Sequence, residues 1–381
     1  MRAEPYRVIV WGPGTVGSAC LRELLASPGF EVVGVLGYSA EKEGRDIGEL
    51  LGLPAAGVRV TTDKDMILRQ AADVVLHAPR FTIDLSETDR DVVALLSSGK
   101  NVISATSYHY PFRHGRDYVK MLQDSCKRGG VSLLGTGVHP GYMGEMLAAT
   151  LSGLASEMEK LTIREFVELS HARSAEGLQM IGYGRDPADV EGIDNPVFHA
   201  LERYWGDTLA YLARIMFDAD ARIERTTSFI AATEDITIPV MTIRKGHIAA
   251  IRHVLRAFVD NTVRFEIDEY LYHTDKAKPF DYVDAGDFYE IEIEGKPSSV
   301  RLRMALKASL ANDLDFWPGD PTPQAWYATA TPMVLAIPGV VAAAPGLLLP
   351  EVSRHFRRDV RSYKTMPELV RRELEKLGIE P

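Results

Sequence analysis

Over its first third the chain alternates short apolar runs with amphipathic stretches of helical period, and beyond that it changes to long runs of alternating apolar and polar residues. Tyr6-Arg7-Val8-Ile9-Val10-Trp11 reads as a buried parallel strand, and residues 18–26 read as a helix with Leu21, Leu24 and Leu25 on one side. Phe30–Leu36 is a second strand, 58–60 a short third, 73–77 a fourth, Asn101–Ser104 a fifth and 131–134 a sixth. Helical patterns fill the gaps at 85–98, closed by Gly99, and at 115–127. Alternation with short loops predicts an α/β doubly wound parallel sheet of the Rossmann type over residues 1–140.

Residues 141–325 carry the second texture. Strands are expected at 161–170, 222–238, 262–272, 288–294 and 300–308, and helices at 197–217 and 247–259. Such a pattern predicts an α+β domain with a mostly antiparallel sheet, one face covered by helices and the other open to a second copy, hence a homodimer. Residues 326–381 are expected as a helical segment completing the cleft, with helices at 323–338 and 366–377.

At 381 residues and 46% apolar content the chain can build two cores. No signal-peptide pattern opens it, and the longest apolar run, 334–349, is cut by Pro338 and Pro345, a poor membrane span. A cytoplasmic protein with no membrane partner is expected. The formal net charge of −10 argues against nucleic acid as the main partner. Cys20 and Cys126 lie in expected helices without CxxC spacing, which points to buried thiols, and no histidine spacing makes a metal site.

Chemistry enters with Gly12-Pro13-Gly14-Thr15-Val16-Gly17, a G-x-G-x-x-G loop between a strand and a helix. Gly12 allows the tight turn, Gly14 lets backbone approach a pyrophosphate, and Gly17 lets helix and strand pack closely. Gly12, Gly14, Thr15, Val16 and Gly17 are therefore the expected dinucleotide contacts. At the end of the second strand stands Gly37-Tyr38-Ser39 in place of a ribose-binding acid. Ser39 could donate to a 2′-phosphate and Lys42 and Arg45 could add charge, which favours NADP(H). NAD(H) stays open, with Glu41 or Glu43 turned toward the ribose.

The glycine loop, Gly44-Arg45-Asp46-Ile47-Gly48-Glu49-Leu50, the turn Gly135-Thr136-Gly137-Val138-His139-Pro140-Gly141 and the late run from Ala328 through Ala336-Ile337-Pro338-Gly339 to Gly346 resemble 2,4-diaminopentanoate dehydrogenases and native amine dehydrogenases. Their nucleotide domain is similar to that of dihydrodipicolinate reductase. The resemblance implies NAD(P)-dependent oxidoreduction at a C–N bond and a dimer. Two departures stand beside it. The catalytic Lys and P-S-G-T of dihydrodipicolinate reductases are missing from Glu168 to Gly177, which excludes that activity. The Glu that amine dehydrogenases of this type carry after the fifth strand is also missing, since Ser104-Ala105-Thr106-Ser107-Tyr108-His109-Tyr110-Pro111 holds no carboxylate.

The loops after the fourth and fifth strands lie where a nicotinamide arrives. His77, Ala78 and Pro79 are candidate walls against it, and Thr106 a candidate contact. Tyr108 and His109 are candidates to manage the proton of a C=O or C=N reduction, or else a ring plug chosen for shape. His139 could bind the carboxamide, and Glu145 could replace the missing proton acceptor or simply stabilise a helix start. His171 and Arg173 are candidate substrate contacts. The expected activity is hydride transfer to or from a small, fairly apolar amine, imine or ketone. Ammonia-independent carbonyl reduction and non-catalytic dinucleotide binding are the alternatives.

Overall fold

A computed structural model describes residues 3–80, 82–169, 174–190, 195–272, 288–307, 309, 320, 322–352 and 354–381. The chain divides into two units: Met1–Met146, Ala308–Val352 and Tyr363–Pro381 form one, and Leu147–Lys307 with Ser353–Ser362 the other. The chain thus leaves the first unit a few residues beyond the expected boundary at 140. Residues 326–381, expected as one segment, are shared between the units.

The first unit begins β1 (Tyr6–Trp11), α1 (Thr15–Leu25), β2 (Phe30–Leu36), α2 (Ile47–Leu50), β3 (Val60–Thr61), α3 (Lys64–Arg69) and β4 (Val74–His77). It continues α4 (Ser86–Ser97), β5 (Asn101–Ser104), α5 (Arg116–Gly129) and β6 (Ser132–Gly135). All four residues of β4 are buried, as a strand covered on both faces requires.

The second unit contains α6 (Ala149–Ser152), β7 (Glu157–Glu168), α7 (Ala175–Met180), α8 (Pro196–Phe217) and β8 (Arg222–Ala231). A small hairpin of β9 (Ile236–Ile238) and β10 (Met241–Ile243) precedes β11 (Ile248–Val259), β12 (Thr262–Tyr272), β13 (Phe288–Lys296) and β14 (Val300–Ala305). The chain then returns to the first unit as α9 (Gln324–Ala342), β15 (Gly346–Leu347) and α10 (Met366–Lys376).

The first sheet has the order β15-β6-β5-β4-β1-β2-β3, all parallel, so its strand order reverses between β1 and β4. In open α/β sheets the crevice beyond that reversal is where ligands bind. The long apolar helix α9 is part of this unit's core: Tyr327, Ala330, Met333, Val334, Ile337 and Val340 are buried in one cluster with Leu21 and Leu24 of α1. Its start is tied down by Asp320, which pairs with the buried Arg22 at 3.3 Å and accepts from Tyr327, while Arg22 also donates to the Leu51 carbonyl at 2.6 Å. By length and composition α9 alone among the described helices could cross a membrane, yet Pro332 and Pro338 interrupt it and its buried face belongs to this core. Cys20 and Cys126 are free and buried, and burial pushes the Cys126 thiol up to about 12.

The second sheet has the order β14-β13-β7-β12-β11-β8, antiparallel except for the β7–β12 pair. One expectation is corrected here. Residues 247–259, read as a helix, form β11, a strand with neighbours on both sides. The segment I-A-A-I-R-H-V-L-R-A-F-V satisfies both periods, and pairing decides between them. Arg252 and Arg256 share one face and bond Asp268 (2.8 and 2.7 Å) and Glu266 (2.7 Å) on β12, whereas His253 faces the other way. The expected strand 222–238 is likewise two strands, β8 and β9.

The two faces of this sheet differ. On one, Arg164 joins Glu290 and Glu292 at 2.6 Å each, and Phe166 stacks between Phe288 (4.1 Å) and Tyr270 (5.5 Å). The other is mostly apolar and covered by α8, whose Phe198 stacks on His253 at 5.3 Å and whose Phe217 meets Phe265 edge-on.

Candidate functional site

The glycine loop sits where β1 hands over to α1. Gly12 has φ +95°, and a Cβ there would lie 2.2 Å from the Ala78 carbonyl oxygen, so the loops after β1 and β4 touch through bare backbone. A Cβ on Gly17 would lie 2.0 Å from the Gly12 oxygen, which fixes how closely α1 packs. Gly14 differs: nothing lies within 4 Å of its would-be Cβ. Its lack of a side chain leaves space open above the α1 N-terminus, which has no side-chain cap and no acid in its first turn. Thr15 and Val16 open that helix. An uncapped helix start facing a bare loop suits a pyrophosphate. The residues therefore fit a dinucleotide.

Beyond β2 the Lys42 ammonium donates to the Pro13 carbonyl at 2.7 Å and so lies against the glycine loop. Ser39 caps a short turn, its hydroxyl accepting from the Glu41 amide at 3.3 Å. Glu43 accepts from the Thr62 amide at 2.5 Å, while Glu41 and Arg45 are exposed. Two residues missed in the sequence complete this corner. The Arg80 guanidinium lies 4.9 Å from the Tyr38 ring centre, and the Tyr38 hydroxyl accepts from the Trp11 indole at 2.9 Å. Arg80 was visible only as the end of His-Ala-Pro-Arg, and its meeting with Tyr38 needs β2 and β4 on either side of β1.

At the ends of β4 and β5 a buried polar chain forms. His77 Nδ1 lies 2.9 Å from the Ser104 hydroxyl, which lies 3.0 Å from the Thr106 hydroxyl and accepts from the Thr106 amide at 3.2 Å. Burial, then the charge of Lys64, pushes the His77 pKa down to about 3, so its ring is neutral at pH 7. Through Ser104 it is linked to Thr106. Ala78 and Pro79 follow directly beneath Gly12.

The other candidates are placed as follows. The buried Tyr108 hydroxyl donates to Asp89 of α4 at 2.8 Å, a carboxylate it shares with Tyr118 at 2.9 Å. His109 is fully buried. Glu145, also fully buried, accepts from the Gly141 amide at 2.7 Å and so ties the 137–141 turn, in which His139 is half-buried. His171 and Arg173 lie outside the described residues. Among the described residues no group of metal-ligating side chains occurs.

Known proteins agree with this geometry. Residues 6–107 match the family model of dihydrodipicolinate reductase, N-terminus. An amine dehydrogenase of Streptomyces virginiae is 27% identical over 350 residues, 89% of this chain and 93% of that protein. A 2,4-diaminopentanoate dehydrogenase of Acetoanaerobium sticklandii is 31% identical over 172 residues, 44% of this chain and 48% of that protein. In fold, the chain resembles the amine dehydrogenase of Mycobacterium smegmatis, with a TM-score of 0.69 at 22% identity over 90% of this chain and 94% of that one.

The parallel sheet, its glycine loop and these relatives define an NAD(P)-dependent oxidoreductase of the dehydrogenase class. Within that class the chain is similar to the amine dehydrogenases and 2,4-diaminopentanoate dehydrogenases, as its motifs imply.

Proposed function

We propose that this chain interconverts a small, fairly apolar ketone and the corresponding amine at the expense of NADP(H). The observation that carries this reading is the similarity to an amine dehydrogenase along 89% of the chain. When bound, the nicotinamide supplies or accepts the hydride. The protein's own part is to hold and orient: the glycine loop and α1 N-terminus take the pyrophosphate, and Lys42, Arg80 and Ser39 provide the charge and hydroxyl that favour a 2′-phosphate over a bare ribose. His77 and Ser104 hold Thr106 as a fixed donor toward the carboxamide. His139 joins this wall. Of the proton candidates, Tyr108 gives its hydroxyl to Asp89 and Glu145 accepts the Gly141 amide, and His109 is the third.

A second reading, ammonia-independent carbonyl reduction, is favoured by one observation: the loop from Ser104 to Pro111 holds no carboxylate to receive a proton from nitrogen. The salt-linked face of the second sheet, with both signs of charge side by side within its rows, would make a self-complementary contact for a homodimer, and sedimentation equilibrium tests that assembly. Activity is tested by following nicotinamide absorbance with NADPH or NADH and a panel of ketones, with and without excess ammonium. Oxidation that needs both ketone and ammonium supports the amine reading. Oxidation indifferent to ammonium supports the second.

A further inference from the structure

The helix-covered face of the second sheet is mostly apolar, with one polar row and the Arg225 guanidinium of β8 in the row beside it. Across β13, β7, β12, β11 and β8 the register sets Tyr289, Glu165, Glu269, His253 and Thr227 side by side. The next row toward one end is Ile291, Ile163, Ile267 and Leu255, ending in Arg225 of β8, and toward the other Val167, Leu271, Ile251 and Phe229. A polar row between two mostly apolar ones, under a helix, costs stability unless each group is satisfied.

The ends of the row are satisfied. Tyr289 donates its hydroxyl to Glu165 at 3.0 Å, and His253 Nδ1 lies 2.8 Å from the Thr227 hydroxyl. The middle is not. Glu269 is 3% exposed and its Oε2 has no hydrogen-bond partner among the described residues, and beside it His253 is 0% exposed with Nε2 likewise unpartnered. Burial, and then the charge of Glu165, hold the Glu269 carboxyl protonated well above the usual carboxylate range. Burial and the Arg225 charge push His253 down to about 4, so it is neutral. The charge of Glu165, directly opposite on the neighbouring strand, disfavours an ionised Glu269 unless a cation joins them.

We propose that Glu165 and Glu269, with His253 beside them, form a binding site within the second unit for the nitrogen of a primary amine or ammonium ion. An –NH3⁺ group has three N–H donors and one positive charge. It would satisfy the orphaned oxygen of Glu269, offset the repulsion of the pair, and place a third N–H toward the imidazole. On binding, Glu269 releases its proton to solvent and pairs as a carboxylate. Neutral ketones and anions have neither the charge nor the donors that Glu269 Oε2 lacks among the described residues. The choice of an amine as occupant rests on the proposed amine chemistry.

The test titrates the full chain with propylammonium chloride in a calorimeter, with tetramethylammonium chloride at equal ionic strength as the control that carries charge without N–H donors. Saturable binding of propylammonium only is expected, weakened about tenfold or more in Glu269→Gln and Glu165→Gln, the size of a lost charge-assisted hydrogen bond. NADPH affinity should hold in both variants, which shows that they are folded. Should a variant fail to fold, infrared difference spectra of the unaltered protein decide: a carboxylic-acid carbonyl band lost on saturation with propylammonium supports the site. No saturable binding, equal binding in folded variants, or an unchanged acid band overturns it. Absence of ammonium-dependent turnover would instead defeat the amine reading and leave the calorimetric result to stand alone.

Discussion

The two units solve the same problem, how to hold polar groups where a ligand needs them, in opposite ways. In the first, the nucleotide corner is built from the ends of parallel strands, so its central element is a continuous run, Gly12 to Gly17, with Lys42 brought against it from the next strand. In the second, Thr227, His253, Glu269, Glu165 and Tyr289 each come from a different strand and meet only through register. The first kind of site depends on local backbone geometry and resists added atoms at Gly12 and Gly17. The second depends on pairing and is sensitive to charge.

The sharpest way to break this contrast is at the glycines. Gly17→Val puts a side chain into the Gly12 carbonyl 2.0 Å away, and loss of folded protein is expected, read from soluble yield and thermal melting. Gly14→Val meets nothing within 4 Å, so its melting temperature should hold while NADPH affinity falls by about tenfold or more, the weight of lost phosphate contacts. If both variants fail alike, the open space at Gly14 is not kept for a ligand.

Lys42→Ala sharpens the cofactor assignment. Removing the ammonium beside Pro13 should weaken NADPH about tenfold relative to NADH, as expected for one charge-assisted contact, measured by fluorescence titration with each cofactor. Equal losses for both would place Lys42 at the pyrophosphate.

Smaller effects separate the buried acid from the buried histidines by pH. Glu269 has its folded pKa raised, so its contribution to stability is full below the ordinary carboxylate range and is lost as pH rises through the folded value. Glu269→Gln should therefore melt with a flatter dependence than the unaltered chain on the alkaline side. His77 runs the other way. Its folded pKa is pushed down to about 3, so its contribution is full above the ordinary imidazole range, about 6.5, and fades as pH falls toward 3. His253 and His355, pushed down to about 4, act in the same direction. Melting followed from pH 7 to pH 4 should decline less steeply in His77→Gln.

The same contrast explains what was legible in the sequence. Strands Phe30–Leu36, Asn101–Ser104 and Thr262–Tyr272 stand at the expected residues, because apolar runs bounded by turn residues leave little choice. Residues 247–259 misled because Arg252 and Arg256 stand four apart, a helical spacing, while their partners Asp268 and Glu266 on β12 make them one face of a strand. The glycine loop could be read because its glycines answer to neighbours in the chain. The Ser104 link between His77 and Thr106 could not, because it joins two strands. A signal for the acid pair did exist: Glu165 interrupts the apolar alternation Leu161, Ile163, Val167, a charge on the face that should be dry. Only pairing with β12 shows that a second acid lies opposite.

The central claim is that this chain moves hydride to the carbon that comes to carry nitrogen, and it is tested most directly with two labels at once. The protein would be incubated with NADPH deuterated at the transferable C4 position, a small aliphatic ketone and ¹⁵N-ammonium, and the products weighed by mass spectrometry. An amine carrying both deuterium and ¹⁵N is the expected result. A deuterated alcohol with no nitrogen label would contradict it and make the protein a carbonyl reductase.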